Sequence, residues 1–130
     1  ANPACAQASS VDLSNTTVTN IPDGNATGIT SVIDVTASGL VSSLSVSVDI
    51  SHAFRADLIV KLVHPSGAEV TLFNQEDSDE YLNLVRTFTP PEFNGLEVKG
   101  AWKLIVIDNA AQDSGKLNSW RLNAQIVPGN

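Results

Sequence analysis

Leu44-Ser45-Val46-Ser47-Val48-Asp49-Ile50-Ser51 changes from apolar to polar at every step. In an extended chain successive side chains point to opposite faces, so this stretch puts Leu44, Val46, Val48 and Ile50 on one face and Ser45, Ser47, Asp49 and Ser51 on the other. A helix would spread the same residues around its whole circumference. The period is two. The same alternation continues outward from this stretch, through Leu58, Val60 and Leu62, after which Pro65-Ser66-Gly67 makes a tight turn into Val70, Leu72 and Phe73. Further on, Trp102, Leu104 and Val106 alternate with Lys103, Ile105 and Ile107, and Trp120, Leu122, Ala124 and Ile126 alternate with Arg121, Asn123 and Gln125.

Turn-forming residues cluster between these stretches, at 74–79, 89–95 and 109–115. No window supports an amphipathic helix longer than about two turns. Short strands with polar connections predict an all-β fold, a jelly-roll-like antiparallel β-sandwich of about eight strands. Its expected core holds Leu44, Val46, Val48, Ile50, Leu58, Val60, Leu62, Leu104, Val106 and Leu122. Trp102 and Trp120 are in phase with these residues, so they read as core side chains rather than as a sugar-stacking platform. Residues 1–28 are small and polar and read as an arm with a first short strand. Residues 29–127 form the expected sandwich and 128–130 a tail.

The chain has 130 residues, enough for one self-sufficient core, and 42% of them are hydrophobic. Seven basic residues against fourteen acidic ones leave a net charge of −7, which disfavours nucleic acid and anionic membrane surfaces and suits a cation. No apolar run approaches the roughly 20 residues of a membrane helix, and no signal-like apolar stretch stands at Ala1. The lone Cys5 cannot form an internal disulfide. It reads either as a free thiol in the arm or as half of a bridge to a neighbouring domain. Asn15-Thr16-Thr17 and Asn25-Ala26-Thr27 fit the glycosylation sequon, although Ser, Thr and Asn are frequent enough to give such matches by chance.

Three segments carry an ordered set of motifs. The first is Ser51-His52-Ala53-Phe54-Arg55-Ala56-Asp57-Leu58, followed by His64-Pro65-Ser66-Gly67; the second is Gly100-Ala101-Trp102-Lys103-Leu104-Ile105-Val106-Ile107-Asp108; the third is Asp113-Ser114-Gly115-Lys116-Leu117-Asn118-Ser119-Trp120-Arg121-Leu122. Over roughly 44–126 the chain resembles the P-domain (Homo B) of proprotein convertases and of many bacterial secreted proteases. It departs from that pattern at Ala56, where the family commonly has Gly. The resemblance implies a non-catalytic, secreted, calcium-binding module. Its partners would be the catalytic protease domain of the same precursor and a protein substrate, with the module itself a monomer.

The carboxylates are consistent with calcium. Asp57 opens one strand, and the hairpin that follows returns the chain toward the acidic run Glu76-Asp77-Ser78-Asp79-Glu80. That run therefore emerges at the same end as Asp57. Calcium takes six to eight oxygens, and such a run repels itself without a cation. Asp108 and Asp113 form a second oxygen-rich corner, which joins the first only if the strand ending at Asp108 pairs antiparallel with the strand starting at Leu58. Asp57, Asp108 and Asp113 are the favoured ligands, with Asp77 and Asp79 next. Each also has a plainer reading: Asp57 could pair with Arg55, the acidic run could be solvated, and Asp113-Ser114-Gly115 could be an ordinary turn. His52 reads as a loop-packing group and His64 as a surface residue.

Catalysis is disfavoured. There is no Gly-x-Ser-x-Gly, no subtilisin triad motif and no His-Glu-x-x-His, and Cys5 has no positioned base. A carbohydrate- or matrix-protein-binding module is the alternative. Tyr81, Phe88 and Phe93 are then the aromatics expected to touch a substrate or glycan.

Overall fold

The computed structural model describes residues 9–22, 25–52, 58–74, 83–108 and 115–128. Through these the chain forms nine strands: β1 Ser9–Asn15, β2 Thr19–Ile21, β3 Asn25–Val35, β4 Leu40–His52, β5 Leu58–Val63, β6 Glu69–Asn74, β7 Leu84–Phe88, β8 Gly100–Asp108 and β9 Gly115–Val127. A 3-10 turn at Pro91–Phe93 lies between β7 and β8. One sheet has the order β1-β9-β4-β7, with β2 also pairing β9, and the other has the order β3-β8-β5-β6. Every pairing is antiparallel. The expected sandwich is present, with one strand more than anticipated.

Alternation sets the register. β4 opposes β9 with Leu44 on Ala124, Val46 on Leu122 and Val48 on Trp120. β5 opposes β8 with Val60 on Val106 and Leu62 on Leu104. These inward rows are buried in a single core, and all twelve residues expected there belong to it. A fully buried side chain of this size contributes roughly 1.5–3 kcal/mol, so moving a strand by one residue would invert a whole row at prohibitive cost. Both indoles sit in the core with their N–H groups satisfied: Trp102 Nε1 donates to the Val98 carbonyl at 2.8 Å and Trp120 Nε1 to Ser31 Oγ at 2.9 Å.

The N-terminal segment is more structured than its composition suggests. β1 lies along β9 from Ser9 opposite Ile126 to Asn15 opposite Trp120, and β2 pairs with the start of β9. Only Val11 and Ile21 of these two strands are buried. An edge strand that contributes so few inward residues leaves little trace in hydropathy. Asn15 closes the layers by donating to the Val32 carbonyl on the opposite sheet at 2.9 Å.

His64 is buried, in contrast to the surface position expected for it. Its Nε2–H donates to the Glu97 carbonyl at 2.7 Å, and its Nδ1 accepts the Ser66 backbone N–H at 3.0 Å. The ring lies edge-on to Trp102 with centroids 4.9 Å apart. The hairpin therefore folds down onto the core rather than standing clear of it. Phe93 is likewise buried, 5.3 Å from Trp102 between centroids, because the 3-10 turn tucks its ring under β8.

Candidate functional site at one rim of the sandwich

The antiparallel ladders bring many strand ends to a single rim. In the four-stranded sheet, Leu58 at the start of β5 lies opposite Asp108 at the end of β8, Asn74 at the end of β6 lies opposite Ile59, and Asn25 at the start of β3 lies opposite Asp108 from the other side. In the five-stranded sheet, His52 at the end of β4 lies opposite Gly115 at the start of β9, which also pairs with Ile21. Leu84 at the start of β7 lies opposite Ile50. The described residues on either side of 53–57, 75–82 and 109–114 therefore all lie at this rim.

One contact ties the two sheets together there. His52 Nε2 donates to Asp108 Oδ2 at 2.8 Å, and neither side chain has any solvent exposure. The His52 backbone N–H is held by Asn83 Oδ1 at 3.0 Å, which anchors the start of β7 to the end of β4. His52 is thus a strand residue joined to the opposite sheet, more constrained than the loop-packing role its sequence context suggests.

Two glycines permit the close approach of strands at this rim. Gly28 has φ of 68°, and a Cβ on it would overlap the Val106 carbonyl oxygen and lie 2.7 Å from Ile107 Cγ1. At Gly115 a Cβ would overlap the Ser51 carbonyl oxygen and lie 2.8 Å from His52 Cδ2. A larger residue at either position would push the neighbouring strand away.

Of the three favoured carboxylates and the two ranked next, only Asp108 is described, and it is fully buried. Asp57, Asp77, Asp79 and Asp113 lie outside the described residues. In the sequence they adjoin described strand ends. Asp57 immediately precedes Leu58, Asp77 and Asp79 follow Asn74, and Asp113 precedes Gly115. The β5–β8 pairing is antiparallel, as the joining of the two oxygen-rich corners requires. Among the described residues, no three His, Cys, Asp or Glu side chains gather as a metal set.

The aromatic candidates separate differently. Tyr81 lies outside the described residues and Phe93 is interior. Phe88 is half-buried, with the Arg86 guanidinium carbon 5.7 Å from its ring centroid and 5.3 Å from that of Phe73. None of the described aromatics forms the flat exposed platform that glycan stacking uses. No described helix is long and apolar enough to cross a membrane.

Two exposed carboxylates far from the rim titrate unusually. The Arg121 guanidinium, bonded to Asp12, holds that carboxyl below the usual Asp range. Glu97 is held low by the backbone N–H of Gly39, at 2.8 Å from Oε2, and then by that of Lys99 at 3.2 Å.

Residues 41–124 match the family model described as the proprotein convertase P-domain. The chain is 40% identical over 108 residues to the transglutaminase-activating metalloprotease of Streptomyces mobaraensis, covering 83% of this chain and 14% of that protein. It is 38% identical over 110 residues to leupeptin-inactivating enzyme 1 of Streptomyces exfoliatus, covering 83% of this chain and 25% of that one. The chain thus spans no more than a quarter of either relative. In fold it is similar to the serine protease of Aeromonas sobria in complex with the chaperone ORF2. That match has a TM-score of 0.79 at 18% identity and covers 93% of this chain and 27% of the protease chain.

Proposed function

The chain belongs to the proprotein convertase P-domain family, an accessory module of proteases, and on that footing we propose that it is a secreted, calcium-binding domain that stabilises the catalytic protease domain of its precursor. The chemistry stays with that partner, and this module supplies folded support and a contact for protein substrate. The observation that carries the calcium reading is the register that sets buried Asp108 opposite Leu58. That register brings one fixed carboxylate to the rim where the stretches bearing Asp57, Asp77, Asp79 and Asp113 are anchored.

The donor chemistry fits. Calcium takes six to eight oxygens at about 2.3–2.6 Å from carboxylates, carbonyls and water. Carboxylates drawn from several connections would supply such a set, and the ion would offset their mutual repulsion. His52 would hold Asp108 from the protein side, as outer partners commonly orient ligating carboxylates. The ion would link the connections and stiffen that end of the sandwich.

The test is a calcium titration of the chain after chelator treatment, with the residual metal measured and unfolding followed by calorimetry. Calcium at 100-fold over its dissociation constant adds about 2.7 kcal/mol if it binds only the folded state. For a chain of this size that raises Tm by on the order of 10 °C. Asp108→Asn should shrink the calcium-induced rise. An unchanged Tm in demonstrably metal-free protein excludes the calcium reading.

A further inference from the structure

The sheet edges among the described residues are not alike. β1 presents Asp12, bonded to Arg121. β3 carries Asp34 and a break in register between Asn25 and Ile29. β6 is shifted against β5 at Lys61 and bears the Lys61–Glu69 pair at 3.4 Å. Bulges and outward charges of this kind keep other strands from adding to an edge. β7 has no bulge. It runs unbroken against β4 from Leu84 opposite Ile50 to Phe88 opposite Val46, and its other side pairs with no described strand. Its solvent-facing residues are Val85 and Thr87, and Val85, at 68% exposed, is the most exposed large apolar side chain among the described residues. The one charge on β7, Arg86, lies on the side that faces the other sheet.

The two open sides of the sandwich differ as well. On the β1–β3 side Asn15 donates across to the Val32 carbonyl. On the β6–β7 side Arg86 reaches across instead, its guanidinium carbon 5.3 Å from the Phe73 ring centroid and 5.7 Å from that of Phe88. The rings fix this guanidinium without neutralising it, and no carboxylate pairs with it among the described residues. Beside it a hollow of about 250 Å³ opens between Val70 and Leu72 of β6, Phe88 of β7 and the Pro90-Pro91 segment. Glu92, not Arg86, lines the hollow itself. The seam thus offers a cation at one position and an apolar recess with an acidic group at the next.

We infer that the free edge of β7 is a binding site for an extended polypeptide segment, which adds to the sheet as a strand with an acidic side chain beside Arg86 and an apolar one beside Phe88. Arg86 and Phe88 are two residues apart and share a face of β7, so residues two apart on the added strand meet them. Main-chain hydrogen bonds to β7 give such a segment its affinity, and the two side chains give it selectivity. The inference rests on the substrate contact proposed above and assigns its place and its chemistry. Other occupants fit less well. A second copy pairing β7 fully on β7 would set Arg86 against Arg86, on molecules that each carry a charge of −7. A small free anion would meet the guanidinium and leave the backbone edge unused.

Amide NMR of the isotope-labelled chain tests this with short capped peptides: one carrying Glu with Val two positions away, and one with Gln in place of the Glu. Two further forms of the Glu peptide are N-methylated at alternate residues, one in each phase. The Glu peptide should shift the amides of β7, and the Gln peptide should bind about tenfold more weakly, as loss of a hydrogen bond to a charged group implies. One N-methylated phase should fail to bind and the other should bind, because an added strand turns alternate N–H groups toward its neighbour. Arg86→Gln should erase the preference for Glu over Gln; if that variant does not melt cooperatively, the peptide comparison on the unaltered chain carries the test. Equal affinity for the Glu and Gln peptides overturns the assigned chemistry, and undiminished binding of both N-methylated forms overturns strand addition. Shifts confined to β1, β3 or β6 overturn the site and leave the substrate contact standing. No binding of any peptide overturns both. Shifts of β7 that grow with protein concentration in the absence of peptide make a second copy the occupant and also overturn the assignment.

Discussion

Replacing His52 by Phe tests whether the bridge between the sheets holds the rim together. The substitution keeps a ring of similar size in the core and removes the donor to Asp108, whose carboxylate stays buried. Removing one partner from a buried contact of this kind costs about 3–5 kcal/mol. Both residues have further interactions, so the lower end applies, about 3 kcal/mol. Unfolding entropy is about 2.1 cal/mol/K per residue, and for 130 residues this cost lowers Tm by about 11 °C. Calorimetry and urea titration of His52→Phe, Asp108→Leu and the double variant complete a cycle. The double variant should recover much of the loss, because an apolar pair of similar volume leaves no orphaned polar group. A Tm drop below about 3 °C in His52→Phe, or strictly additive single and double effects, would refute the reasoning.

Two other substitutions probe backbone geometry. Gly115→Ala should lower the urea midpoint by an amount equivalent to about 1–3 kcal/mol, because its Cβ meets the backbone of β4 rather than a yielding side chain; an unchanged midpoint would show that the strands can part freely. Glu97→Gln should lower Tm at neutral pH, since the depressed carboxyl contributes stability above the ordinary Glu value of 4.5 and loses it as the pH falls through its folded value. Wild type and variant should therefore converge in acid, and a Tm gap that persists or widens there would contradict the assignment.

The fold was readable because two long strands, β4 and β9, carry an almost unbroken alternation, and a period of two admits one burial pattern. Both tryptophans fall inward on the same phase. β1 and β2 were hard to see because an edge strand needs only one or two inward residues, here Val11 and Ile21. A His-Pro-Ser-Gly turn normally faces water, so the sequence points to an exposed His64. Its burial depends on the Glu97 carbonyl, which lies far along the chain and is brought in only by the β7–β8 connection. The His52–Asp108 pair is similarly long-range, spanning 56 residues. The antiparallel pairing that sets Asp108 opposite Leu58 is likewise a matter of strand order, which the sequence leaves open.

The two ends of the described chain lie side by side, Ser9 opposite Ile126, away from the rim where the acidic stretches are anchored. Mechanical load applied through both ends would reach the β1–β9 ladder at its open end. Antiparallel strands loaded this way peel, giving up their cross-strand bonds in sequence instead of sharing the force. Under tension the module should therefore shed β1 at low force while the ladders around Asp108 remain intact. An accessory domain tethered on both sides would thus yield first at the end opposite the proposed ion site.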